Sequence, residues 1–229
     1  MSTTLVQPDV VKRWDEIFAK GVGDKFPNLD LVRLEKWFFE GKPGKILEYG
    51  FGAGINLIHM LECGYEVEAV DSSIEAIKAL EKKVADRRCA LPKLNIQKID
   101  VSTQRLPFAD ESFDYVLCMS VLSLLGSRER VLSLLKEFAR VLKKGGKTIL
   151  DVNGPQSDFA RLGEPMGNGV YIFSGFSKKE TPFKAYCPET AQDFAALVKE
   201  HFSVDDVGFH AHKYLHSEIQ EFIVCGHKN

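Results

Sequence analysis

Apolar residues in the first forty positions recur at helical spacing. Val11, Trp14 and Phe18 stand three and four residues apart, and Leu31, Leu34 and the Trp37-Phe38 pair repeat the pattern after a break at Phe26-Pro27-Asn28. This period predicts two N-terminal helices. At Glu40-Gly41-Lys42-Pro43-Gly44 the pattern changes, and Lys45–Tyr49 is a short apolar run closing on glycines, as expected of a buried strand. Residues 54–63 read as a helix stopped by Gly64, since glycine takes the left-handed position after a helix without steric cost. Strand two is expected over residues 65–70. A helix follows with Ile74, Ile77, Leu80 and Val84 as its buried stripe, opened by Ser72 and Glu75 as a capping box and running to about Arg88.

Further strands are expected over residues 94–99, 113–119 and 147–152. Between the last two, Val131, Leu135, Phe138 and Leu142 mark a helix stopped at Gly145-Gly146. Strands alternating with helices imply a parallel sheet, hence an α/β fold. Residues 153–187 are rich in Gly, Pro and aromatics without a period and read as a lid-like insertion with little regular structure. Residues 188–201 read as a helix, 202–215 as a strand region and 220–227 as a final strand. The organisation expected is one structural domain: a helical cap over residues 1–41 and an α/β body over residues 42–229. Internal repeats and low-complexity tracts are absent.

The chain has 229 residues, 45% hydrophobic and 27% charged, enough for one sizeable core without disulfide staples. A net charge of −2 argues against binding nucleic acid by neutralising phosphates. It favours a small-molecule partner. The five cysteines, Cys63, Cys89, Cys118, Cys187 and Cys225, are scattered and form no C-x-x-C pair, which fits a reducing cytoplasm. Neither a leader pattern nor a membrane-spanning apolar run is seen, so a cytoplasmic protein working away from membranes, as monomer or homodimer, is expected.

The chemistry concentrates where strand one turns into a helix, in Glu48-Tyr49-Gly50-Phe51-Gly52-Ala53-Gly54. Glycines there let the backbone approach a ligand and take positive φ. Asp71 ends strand two, 21 residues past Gly50, where an acid can accept hydrogen bonds from both hydroxyls of a ribose. A plain tight turn would also need glycine. The dinucleotide fingerprint would require glycine at position 55, but Ile55 stands there, which disfavours NAD.

With these residues in view, the sequence resembles the class I methyltransferases, which use S-adenosylmethionine. ILEYGFGAG is similar to their first motif, AVDSS to the second and KID to the third; LPFADESFDYVLCMSVL and RVLKKGG resemble the two that follow. The stretch GAGINLIHMLECGYEVEAVDSS is also similar to the tellurite-resistance and thiopurine-type members. The resemblance implies a single Rossmann-like, seven-stranded, mostly parallel sheet with helices on both faces, an antiparallel last strand and an N-terminal helical extension. It further implies that Glu48 approaches the cofactor's amino-acid end and that Gly50, Phe51, Gly52 and Gly54 form the loop beneath it. By the same resemblance Asp71 clasps the ribose, Ser72 and Ile74 flank the adenine or ribose, Asp100 and Val101 meet the adenine, and Cys118 and Met119 line the path to the acceptor. Tyr49 and Phe51 depart from the family's commoner aliphatic and small residues.

Read from the residues alone, Asp114 is a local strand-start residue and Cys118 a small buried hydrophobe. Acceptor-shaping aromatics are Trp14, Phe18, Phe26 and Trp37 in the N-terminal helices and Tyr171, Phe173, Phe176 and Tyr186 in the lid, with core packing as the competing role. His210, His212 and His216 share a strand region, but no matching carboxylate or cysteine spacing supports a metal. The expectation is an S-adenosylmethionine-dependent methyltransferase moving a methyl group to a small-molecule acceptor, with no catalytic base assigned. The alternatives are a non-catalytic S-adenosylmethionine-binding regulatory subunit and, behind it, an NAD-dependent oxidoreductase.

Overall fold

The computed structural model of the chain describes residues 7–21, 23, 26–85, 94–100, 103, 105–175, 180–215 and 217–229. Two helices come first, α1 (Pro8–Phe18) and α2 (Leu29–Trp37). Proline opens α1, where its missing N–H costs nothing, and the Asn28 side chain caps α2 by accepting from the amides of Asp30 and Leu31 at 2.8 and 3.4 Å. Next come β1 (Lys45–Tyr49), α3 (Ile55–Glu62), β2 (Glu66–Asp71), α4 (Ile74–Ala85) and β3 (Leu94–Lys98). They are followed by β4 (Phe113–Cys118), a 3₁₀ turn over Leu122–Leu125, α5 (Arg128–Val141) and β5 (Leu142–Asn153). The rest comprises α6 (Asp158–Arg161), β6 (Glu164–Gly167), β7 (Val170–Phe173), β8 (Phe183–Tyr186), α7 (Ala191–Val198), β9 (Ser203–Tyr214) and β10 (Ser217–His227).

Seven strands form one sheet in the order β3-β2-β1-β4-β5-β10-β9. The first five are mutually parallel, and β10 runs antiparallel to both β5 and β9. The expected α/β architecture with an antiparallel final strand is therefore present. Alternate residues of the strands feed two cores. Leu47 and Tyr49 join α5 and α7 on one face, through Phe138, Leu134 and Phe194. Ile46, Val67 and Leu117 join α2, α3 and α4 on the other, through Leu31, Leu57 and Leu80. Burial on both faces explains why these strands read as continuous apolar runs.

Three local expectations are corrected. Helix α5 ends at Val141, not at Gly145-Gly146; Leu142 is already extended (φ −75°, ψ 137°) and pairs with Phe113. The two glycines instead bond the C-terminal segment, Gly145 N–H to Lys228 O at 2.8 Å and Lys228 N–H to Gly146 O at 3.0 Å. The cap of α4 is Ser73, one residue past the position expected: its Oγ accepts from Ala76 N–H at 3.0 Å. The shift arises because Asp71 Oδ1 takes the Ser73 amide at 2.8 Å, and because Asp15 of α1 accepts from the Ser73 hydroxyl and from Glu75 N–H. The third correction concerns residues 153–187, which hold α6 and a three-stranded antiparallel sheet, β6-β7-β8. Phe159, Phe173 and Phe183 pack edge to face beneath it at centroid distances of 5.2 to 5.8 Å. Among the described residues, no helix is long and apolar enough to cross a membrane.

Phe138 is fully buried and meets Tyr49 edge to face at 5.4 Å, joining α5 to β1 directly behind the glycine loop. Phe138→Ala is expected to lower the unfolding free energy by about 3–5 kcal/mol. Urea denaturation checks this; a loss below about 1 kcal/mol would contradict the packing described.

Candidate functional site

After Tyr49 the chain must turn from a central strand into α3 within five residues. Gly50 (φ +74°) and Gly54 (φ +77°) meet that demand with left-handed backbone. A Cβ on Gly50 would stand 2.4 Å from Val121 Cγ2, and one on Gly54 2.5 Å from Leu80 Cδ1, so neither position tolerates a side chain. Gly50 N–H donates to Val70 O at 2.7 Å, tying the loop to β2.

Because Tyr49 and Val70 are register partners, Asp71 emerges beside this loop. Its Oδ2 accepts from Gly52 N–H at 2.9 Å while Oδ1 holds Ser73. Burial raises the Asp71 pKa, and the amides of Ser73, Gly52 and Ser72 act against that rise. A carboxylate has about four acceptor sites, so capacity remains for a ligand.

Glu48 lies on β1 between Ala69 of β2 and Leu117 of β4. Its side chain is buried, and its Oε2 has no hydrogen-bond partner among the described residues. Desolvation first, then the charge of Asp71, push its pKa up to about 8. A buried carboxyl oxygen left without a partner costs about 1–3 kcal/mol, an expense usual where a ligand completes the site.

Both acids border a cavity of about 450 Å³. Gly50, Phe51, Gly52, Gly54 and Ser72 also line it, α1 contributes Val10, Trp14, Ile17 and Phe18, and the segment after β4 contributes Met119, Ser120 and Val121. The Trp14 and Phe18 rings stack at 5.5 Å. Asp15, bonded to the start of α4, and Gln7, donating to Leu124 O and to Lys184 O at 3.0 Å, fasten α1 over this opening.

Of the residues expected to bind cofactor, Glu48, Gly50, Phe51, Gly52, Gly54, Asp71, Ser72 and Met119 therefore meet around one cavity. Ile74 is 40% exposed on the first turn of α4, and Asp100 is exposed beyond β3; neither is part of the lining. Cys118 is fully buried in the core, where burial drives its thiol pKa well up, and it too stands outside the lining. Val101 and Phe176 lie outside the described residues. Asp114 is bonded to Lys45 N–H at 2.9 Å and Lys143 Nζ at 2.7 Å, a strand-start role. Trp14 and Phe18 face the cavity, whereas Phe26 and Trp37 are exposed and Phe173 and Tyr186 are buried in core clusters. Sequence reasoning missed Gln7, Val10, Leu124 and Ser120. Ser120 alone carried a signal, as the polar residue closing the apolar strand LCM.

Residues 47–150 match the family described as Methyltransferase domain. The chain is 33% identical over 119 residues to the cypemycin N-terminal methyltransferase of a Streptomyces species, an alignment covering 52% of this chain and 45% of that protein. It is 33% identical over 107 residues to the phosphatidylethanolamine N-methyltransferase of Cereibacter sphaeroides, covering 47% and 49% respectively. The matches thus span about half the length of these curated relatives. The fold is shared with an S-adenosylmethionine-dependent methyltransferase structure from Methanosarcina mazei at a TM-score of 0.68, 23% identical, covering 80% of this chain and 92% of that one.

Glu48 also links stability to pH. Its folded pKa of about 8 exceeds the ordinary value of 4.5, so its contribution is fully present below about pH 4.5 and is lost as pH rises through about 8. The wild type is expected to lose more stability than Glu48→Gln between those values. Parallel thermal melts of the ligand-free proteins measure this, and identical pH slopes would refute a raised Glu48 pKa.

Proposed function

We propose that this chain is an S-adenosylmethionine-dependent methyltransferase acting on a small-molecule acceptor. One observation carries the reading: the buried carboxyl of Glu48, with Oε2 unpartnered, and the carboxylate of Asp71 border a single cavity, joined by a loop with no room for side chains at Gly50 and Gly54. Asp71 suits the two hydroxyls of a ribose, and its existing bond to Gly52 fixes the loop at the distance a ligand needs. Glu48 Oε2 is the acceptor for the ammonium of the amino-acid end, and that positive charge would draw the glutamate back toward ionisation. Val10, Trp14 and Phe18 supply the apolar wall, and about 450 Å³ lies within the roughly 300–1,000 Å³ of small-molecule sites.

Bound S-adenosylmethionine would supply a methyl group on a sulfonium, open to in-line displacement. The protein's own contribution is positional: Asp71 and Glu48 hold the two ends of the donor, and α1 keeps water from the reacting centre. Met119 and Ser120, just past β4, lie where an acceptor would enter. The modest net charge of −2 supports a small acceptor over a nucleic acid, and the relative named as a phosphatidylethanolamine N-methyltransferase supports amines among the acceptor classes.

Titration calorimetry is expected to show binding of S-adenosylmethionine and S-adenosylhomocysteine and none of NAD. Asp71→Ala should weaken that binding by about tenfold to a hundredfold, the equivalent of about 1.5–3 kcal/mol for a hydrogen bond to a charged group. Unchanged affinity in a folded variant would remove Asp71 from the site, and preference for NAD would overturn the function.

A further inference from the structure

Ser120 borders the cavity and has left-handed backbone, φ +59°, although it is not glycine. Such a conformation persists only where the surroundings hold it. Here a buried acid does so: Ser120 N–H donates to Asp151 Oδ1 at 2.5 Å, and its hydroxyl faces the Glu221 carboxyl. Asp151, on β5, is fully buried, and its Oδ2 has no partner among the described residues. Glu221, on β10, retains slight exposure and sits opposite His210 of β9. His210 Nδ1 meets Asp30 Oδ2 at 2.9 Å and its Nε2 meets His212 Nδ1 at 2.8 Å. His212 stacks on Tyr214, whose side chain is open to solvent. Glu221 thus has as its cross-strand neighbour a histidine whose ring nitrogens are engaged with Asp30 and His212.

The groups facing Glu221 are Asp151 from β5, His210 from β9 and Asp30 from α2, the last also paired with Arg33 at 3.2 Å. Burial pushes both Asp151 and Glu221 upward, Asp151 strongly, with His210 and the Ser120 hydroxyl opposing the rise at Glu221. Neighbouring carboxyls of this kind hold one proton between them and titrate as a unit.

We propose that Ser120, backed by Glu221 and Asp151, forms the acceptor end of the cavity, that the acceptors are primary or secondary amines, and that Glu221 receives the amine's surplus proton by way of Ser120. The proposal rests on the methyltransferase reading above. The negative charge shared by these two acids favours a cationic ammonium over a thiolate or alkoxide. An ammonium first gives one proton to Glu221 and so becomes a nucleophile. Its lone pair then forms the N–C bond, the electrons of the broken C–S bond return to sulfur, and the proton passes from Glu221, which retains slight exposure, to solvent.

The test compares methylation of benzylamine, N-methylbenzylamine, benzyl alcohol and benzyl mercaptan by wild type and Glu221→Gln, with S-adenosylhomocysteine binding measured on both. Amines are expected to be methylated. Glu221→Gln should lose about 10²–10⁴-fold in kcat near neutral pH while binding S-adenosylhomocysteine as the wild type does. The loss should shrink near pH 10, where solvent deprotonates the amine. Ser120→Gly, whose backbone accepts the left-handed conformation, should stay folded and show the same pH-dependent loss. Wild type that binds S-adenosylhomocysteine but methylates no amine overturns the inference alone. So does a Glu221→Gln or Ser120→Gly enzyme with full activity at neutral pH, or with a loss equal at every pH. Wild type that fails to bind S-adenosylhomocysteine sinks the methyltransferase reading as well.

Discussion

The hydrogen bond from Gly52 N–H to Asp71 Oδ2 is the constraint on which the site depends. It joins the loop leaving β1 to the acid ending β2, and it exists only because those strands are parallel neighbours in register, Tyr49 beside Val70. Parallel pairing brings both strands to the same edge of the sheet. Glycines at positions 50 and 54 then allow the turn to close without side chains filling the space between.

The remaining structure keeps that edge rigid and partly covered. Two apolar layers clamp the central strands, one through α5 and α7, the other through α2, α3 and α4. Helix α1 adds a third contact. Asp15 bonds Ser73 and Glu75 at the start of α4, so the helix that walls the cavity is anchored to the strand-to-helix turn that carries Asp71. Unpaired or strained polar groups gather around the same cavity: Glu48 Oε2, Trp14 Nε1 and the left-handed Ser120. Asp114, by contrast, finds local partners in Lys45 and Lys143. Departures of this kind from local consistency mark places shaped by a ligand rather than by folding.

Much of this was legible in the sequence because it depended on local physics. The run Lys45–Tyr49, closed by glycines and followed one strand later by an acid, fixes both the turn and its neighbour. The helix stripes of α1 and α2 were readable for the same reason. Long-range partners were not. Nothing near Leu142 announces that it will leave α5 to pair with Phe113, and nothing near Ser72 shows that Asp71 will capture the next amide and move the cap to Ser73. The small sheet of residues 164–186 escaped because its strands have four residues each, too few for a period to register, although Asn168-Gly169 is a hairpin signal. The acids around Ser120 come from β5 and β10, and only the sheet order brings them together.

The account's central claim concerns where an adenosyl group would sit, so a crystal structure of the complex with S-adenosylhomocysteine tests it most directly. The account predicts ribose hydroxyls on the Asp71 carboxylate, the amino group on Glu48 Oε2, and the sulfur directed toward Ser120. A nucleoside bound elsewhere on the molecule, or an Asp71 that touches no part of it, would contradict the account.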